Sequence, residues 1–67
     1  MLSENLKKIR NEKKLGIREL DRLSDVSHTI IMNIEKEKYK NPTIDTVSKL
    51  ARALNITIDE LVYGKRE

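Results

Sequence analysis

The apolar residues of this chain, dominated by Leu and Ile, fall in helical rather than alternating rhythm, and they come in short runs. Leu2, Leu6 and Ile9 recur at spacings of four and three, with Lys7, Lys8, Lys13 and Lys14 between and after them. Ser3 is placed to cap this first helix, and Glu4 suits its positive end. Gly16 interrupts the pattern. Leu20, with either Leu23 or Ser24, then gives one face of a short second helix, and Glu19 can reach back to its start at Gly16. Asp25-Val26-Ser27 is a compact break, and Ser27 is a good N-cap for a third helix with Ile31 and Ile34 on its apolar edge, ending near Lys36. Glu35 to Lys40 reads as a charged loop, and Asn41-Pro42 stops any helix, because a residue before proline avoids helical angles. Thr43 caps a fourth helix, with Asp45 in its first turn and Ile44, Val47, Leu50, Ala51 and Leu54 at helical spacings. Thr57 to Glu60 matches the S/T-x-x-E capping box of a short last helix through Leu61 and Val62, which Gly64 ends.

The expected fold is therefore all-α: a compact bundle of five short helices forming one domain over residues 1–67, each helix too short to stand alone. A chain of this length hides only roughly 60% of the surface that its unfolded form exposes, so its core must be small. With no cysteine and one histidine, neither a disulfide framework nor a zinc cluster can prop it up. Packed helices or a partner subunit must do so. A buried catalytic cleft does not fit this size, no nucleophile–base pairing or Gly-rich phosphate loop is present, and the expectation is a protein that is no enzyme and takes no cofactor or metal. No apolar run approaches the ~20 residues of a membrane span, and the start of the chain lacks the apolar stretch of a signal peptide. A cytoplasmic setting without membrane contact is expected. The net charge of +3 is mildly basic and by itself fits many partners.

The informative segment runs from about residue 17 to 36: two helical turns, a tight break, and a second helix whose isoleucines face inward. That is the geometry of a helix-turn-helix, in which the second helix lies in a DNA major groove. Spacing alone does not separate this from the helical hairpins of any all-α domain. The order of the whole set does. Leu6-Lys7-Lys8-Ile9-Arg10, Leu20, Val26-Ser27, Ile31, Ile34-Glu35, Asn41 to Thr46 and Leu50 to Leu61 together resemble the Cro/cI-type helix-turn-helix family of XRE regulators, with its lambda-repressor-like domain.

The resemblance implies roles. The recognition helix matches residues 27–36, and its base-facing positions fall on Ser27, His28, Thr29, Met32 and Asn33. Helical spacing agrees, since residues 28, 29, 32 and 33 share a face that excludes 31 and 34. Asn33 can pair with adenine, Thr29 or Met32 can pack on a thymine methyl, and His28 can donate to guanine or to phosphate. Ile30, beside that face, is expected to pack on a neighbouring helix rather than touch thymine. Phosphate contacts fall on Lys36, Lys38, Tyr39, Lys40 and Asn41, and Arg10 with Glu35 matches the family's partly buried ion pair. Three positions depart from the family pattern. Ile17 stands where a Gln is usual, Asp21 where an Ala is usual, and Asp25 where a turn Gly is usual. Asp21 must find donors at the third helix's N-terminus, or Arg18 or Arg22.

These roles imply a sequence-specific regulator of transcription, a repressor that binds double-stranded DNA as a homodimer on a near-palindrome, with half-sites one turn apart. Ile58, Leu61, Val62 and Tyr63 are its expected dimer interface. The alternative is a protein-interaction module on the same fold, such as an antitoxin or a partner-binding subunit, favoured by Ile17, Ile30 and Met32 on or near the DNA side. A sensor domain or protein partner outside this chain is compatible with both.

Overall fold

A computed structural model describes residues 1–64 of the chain, and among them are five α-helices: α1 (Leu2–Glu12), α2 (Ile17–Ser24), α3 (His28–Glu35), α4 (Ile44–Ala53) and α5 (Ile58–Tyr63). Side-chain oxygens open three of them. Ser27 Oγ accepts from the Thr29 N–H at α3, Thr43 Oγ1 from Thr46 N–H at α4, and Thr57 Oγ1 from Glu60 N–H at α5. Glu60 returns the bond to the Thr57 N–H at 3.1 Å, completing the capping box. At α2 the N-cap Gly16 has no side chain to offer, and Glu19 Oε1 alone supplies the contact, accepting from the Gly16 N–H at 3.0 Å.

The expected cap at Ser3 is not formed. The helix starts two residues sooner, with Met1 as N-cap, and Ser3 lies inside it, buried. Leu2 explains the shift: it packs against the core and draws the first turn of α1 inward with it.

Three of the helix ends follow one rule. Lys14, Glu37 and Asn55, each just beyond a helix, have φ of 57°, 60° and 59°, the left-handed conformation. In each case the next residue's N–H turns back to a carbonyl five residues earlier: Leu15 to Arg10, Lys38 to Asn33, Ile56 to Ala51. These are Schellman closures without glycine. They turn the chain sharply after α1, α3 and α4, so that short helices can stack on one another.

The core consists of Leu6 and Ile9 from α1, Leu20 from α2, Val26 from the following turn, Ile31 and Ile34 from α3, Val47, Leu50, Ala51 and Leu54 from α4, and Leu61 from α5. Each large aliphatic side chain so buried contributes about 1.5–3 kcal/mol. No helix here exceeds 11 residues, a length marginal in isolation, so this shared burial holds them folded. One expectation needs correction, and one open alternative is decided. Ile44 lies on the same stripe as Val47 but at the first position of α4, beyond the edge of the core, and is 70% exposed. On α2 the second inward residue is Ser24, whereas Leu23 faces out. Ser24 is tolerated inside because its hydroxyl donates to the Leu20 carbonyl at 2.6 Å and accepts from the Val26 N–H at 3.1 Å.

Candidate nucleic-acid interface

α2 and α3 are joined by a turn of three residues, and the local chemistry of that turn fixes their crossing. Asp25 takes φ 61°, ψ 27°, a left-handed conformation that Asp adopts more readily than most residues. The serines on either side close the turn. Ser24 receives the Val26 N–H, and Ser27 receives the Thr29 N–H. Val26 between them is buried and pins the turn to the core.

α3 packs against both α1 and α2. Its isoleucines at 31 and 34 are fully inward, and Ile30 packs partly against the core, as expected. The opposite side is open. Ser27 and Thr29 are exposed, and His28, Met32 and Asn33 are partly so. All five expected base-facing residues are thus at least partly accessible, with His28, Thr29, Met32 and Asn33 on one face of α3 and Ser27 at its N-cap. Lys36, Lys38, Tyr39, Lys40 and Asn41 follow directly and are all exposed. The loop that carries them is anchored at its root, since the Asn33 carbonyl accepts the N–H groups of both Lys38 and Tyr39.

Two clamps hold α3. At its C-terminal end Arg10 forms a fork on Glu35, with Nε to Oε2 at 2.7 Å and Nη2 to Oε1 at 3.0 Å, while Nη1 donates to the Leu15 carbonyl at 2.8 Å. Both side chains are nearly buried. The carboxylate beside it raises the guanidinium's pKa above its ordinary value, chiefly through these hydrogen bonds. At the N-terminal end Asp21 supplies the second clamp. Its Oδ2 accepts the His28 N–H at 2.9 Å and lies 3.0 Å from His28 Nδ1. The first of the donors sought for Asp21, the start of the third helix, is therefore the one used. Hydrogen bonds from the His28 ring and backbone hold the Asp21 carboxyl below its ordinary pKa, with Arg18 a smaller contributor. The imidazole's part in this clamp had no signal in the sequence, because it joins residues seven apart across a turn.

Of the residues expected at a dimer interface, Leu61 is wholly buried in the core and is not available to a partner. Ile58 and Val62 are half-buried against the same core, and Tyr63 is 83% exposed. The departure at Ile17 is likewise structural, since this side chain packs partly against the core. Among the described residues no helix is long and apolar enough to cross a membrane.

A family model described as helix-turn-helix matches residues 6–61. The chain is 40% identical over 60 residues to the HTH-type transcriptional repressor RghR of Bacillus subtilis, covering 90% of this chain and 44% of that protein. It is 27% identical over 67 residues to the HTH-type transcriptional regulator SinR of the same organism, covering 100% of this chain and 60% of that protein. It is 34% identical over 62 residues to the control protein C.SmaI of Serratia marcescens, covering 92% of this chain and 73% of that protein. The chain spans about half the length of the first two of these relatives. No solved structure matches it significantly.

Proposed function

The chain belongs to the helix-turn-helix family of transcriptional regulators, and we propose that it acts in the cytoplasm as a sequence-specific repressor that reads double-stranded DNA with α3 in the major groove. The observation that carries this reading is the division of α3 into two faces. Ile31 and Ile34 face inward, while His28, Thr29, Met32 and Asn33 stand on an open face of a helix clamped at both ends, behind the exposed N-cap Ser27. Ser27, Thr29 and Asn33 offer hydrogen bonds to base edges, and Met32 offers apolar contact to a thymine methyl. The exposed lysines at 36, 38 and 40 flank that face and suit the phosphates beside the groove.

One such helix reads few base pairs, so specificity calls for two copies on a near-palindrome. Ile58, Val62 and Tyr63, without Leu61, form the surface that supports a homodimer. The reading as a protein-interaction module on the same fold draws on Ile17, Ile30 and Met32, but Ile17 and Ile30 are packed partly against the core. A salt titration of duplex binding tests the regulator reading. Affinity falling steeply with salt is expected, and Lys38→Ala should reduce the slope by about 0.9. Absence of binding to any duplex at low salt contradicts it and favours the interaction module.

A further inference from the structure

We propose that Asp21 fixes the tautomer of His28 and so determines which bases the first turn of α3 accepts, an inference that rests on α3 being the reading helix. One carboxylate oxygen, Asp21 Oδ2, meets two nitrogens of the same residue, the His28 backbone N at 2.9 Å and the ring Nδ1 at 3.0 Å. An ionised carboxylate offers only lone pairs, so the ring nitrogen facing it must carry the hydrogen. The backbone bond holds His28 in register, which keeps the near ring nitrogen, Nδ1, against the oxygen. Arg18 and Arg22 flank Asp21 in a shallow depression on α2, and the first turn of α3 carries no acidic residue of its own.

A neutral imidazole has one N–H, so placing it on Nδ1 leaves Nε2 with a lone pair. Nε2 is then an acceptor. In the major groove the donors are the N4 amino group of cytosine and the N6 amino group of adenine, whereas guanine N7 and O6 and thymine O4 are acceptors. Neutral His28 therefore selects cytosine or adenine. The donation to guanine or phosphate expected from sequence is confined to the protonated ring. Asp21 touches no base in this account. It is a positioning residue that selects the chemistry of its neighbour.

The test has two arms on the intact chain at pH 8. A long-range ¹H–¹⁵N spectrum of the imidazole should show Nδ1 protonated and Nε2 bare, with that preference lost in Asp21→Ala. A proton on Nε2, or an even mixture in the unmodified chain, overturns the lock without reference to DNA. In the second arm, duplexes varied at each position compete for the chain and for His28→Ala. One position should favour cytosine or adenine over guanine by about 3- to 10-fold, and lose that preference in His28→Ala. A preference there for guanine or thymine, or no position that responds, overturns the base-selecting role. Failure to bind any duplex overturns the regulator reading and this role together, while the spectrum still decides the lock.

Discussion

The Arg10 guanidinium donates to both oxygens of Glu35 and to the Leu15 carbonyl, so one side chain joins α1, the turn before α2 and the end of α3. Arg10→Met should cost about 3–5 kcal/mol in chemical denaturation, because Glu35 is left nearly buried without its partner. The double variant with Glu35→Leu should recover much of that loss. Asp21 acts at the other end of α3, and its contribution carries a sign that can be checked. Its carboxyl ionises more readily folded than unfolded, so the unfolded chain binds more protons through the acid range and stability rises with pH there. Asp21→Ala should therefore be less stable than the parent at neutral pH. The difference should shrink as pH falls from the ordinary aspartate value of 3.8 through the lower folded value. A higher melting temperature for Asp21→Ala at neutral pH would contradict the clamp. At this scale the sequence was legible where a residue's type demands a partner nearby: Ser27 as a cap, Ile31 and Ile34 as core, Asp21 as a carboxylate needing donors. The pairing of Asp21 with the His28 ring was not legible, because it depends on how the turn at Asp25 angles one helix over the other.

Among the elements, the positions that end helices are less settled than those that begin them. Lys14 and Glu37 hold left-handed backbone that costs an L-residue roughly 1–2 kcal/mol, against the smaller entropic penalty of glycine. Lys14→Gly, at an exposed site after α1, should therefore stabilise the domain and raise its melting temperature by a few degrees; an unchanged or lower value would contradict this. The helices themselves were readable from spacing and caps, and Thr43 and Gly64 marked limits of α4 and α5 correctly. The errors lie at element ends. Ser3 has the side chain of a cap, but burial of Leu2 starts α1 before it. Ile44 has the spacing of a core residue, but the stripe it belongs to runs past the edge of the core. Spacing gives the direction of a side chain and not whether anything lies across from it.

Taken whole, the molecule carries its exposed lysine loop and its last helix as two separate features of the surface. The lysines at 36, 38 and 40 stand beside the open face of α3, and α5 begins with Asp59 and Glu60 and ends at the exposed Tyr63. Leu61 was expected at a partner surface and instead completes the core, so the patch that supports a second copy is narrower than the sequence suggested. On this account the chain elutes as a dimer at high micromolar concentration, and Tyr63→Arg weakens that dimer; a mass near 7.8 kDa for the parent chain contradicts a stable dimer. The central claim, that the outer face of α3 reads base sequence, is tested most directly by selection from a pool of random duplexes. The account predicts a recovered near-palindrome with half-sites one helical turn apart, lost when Asn33 is replaced by Ala. A pool that stays random at low salt would contradict it.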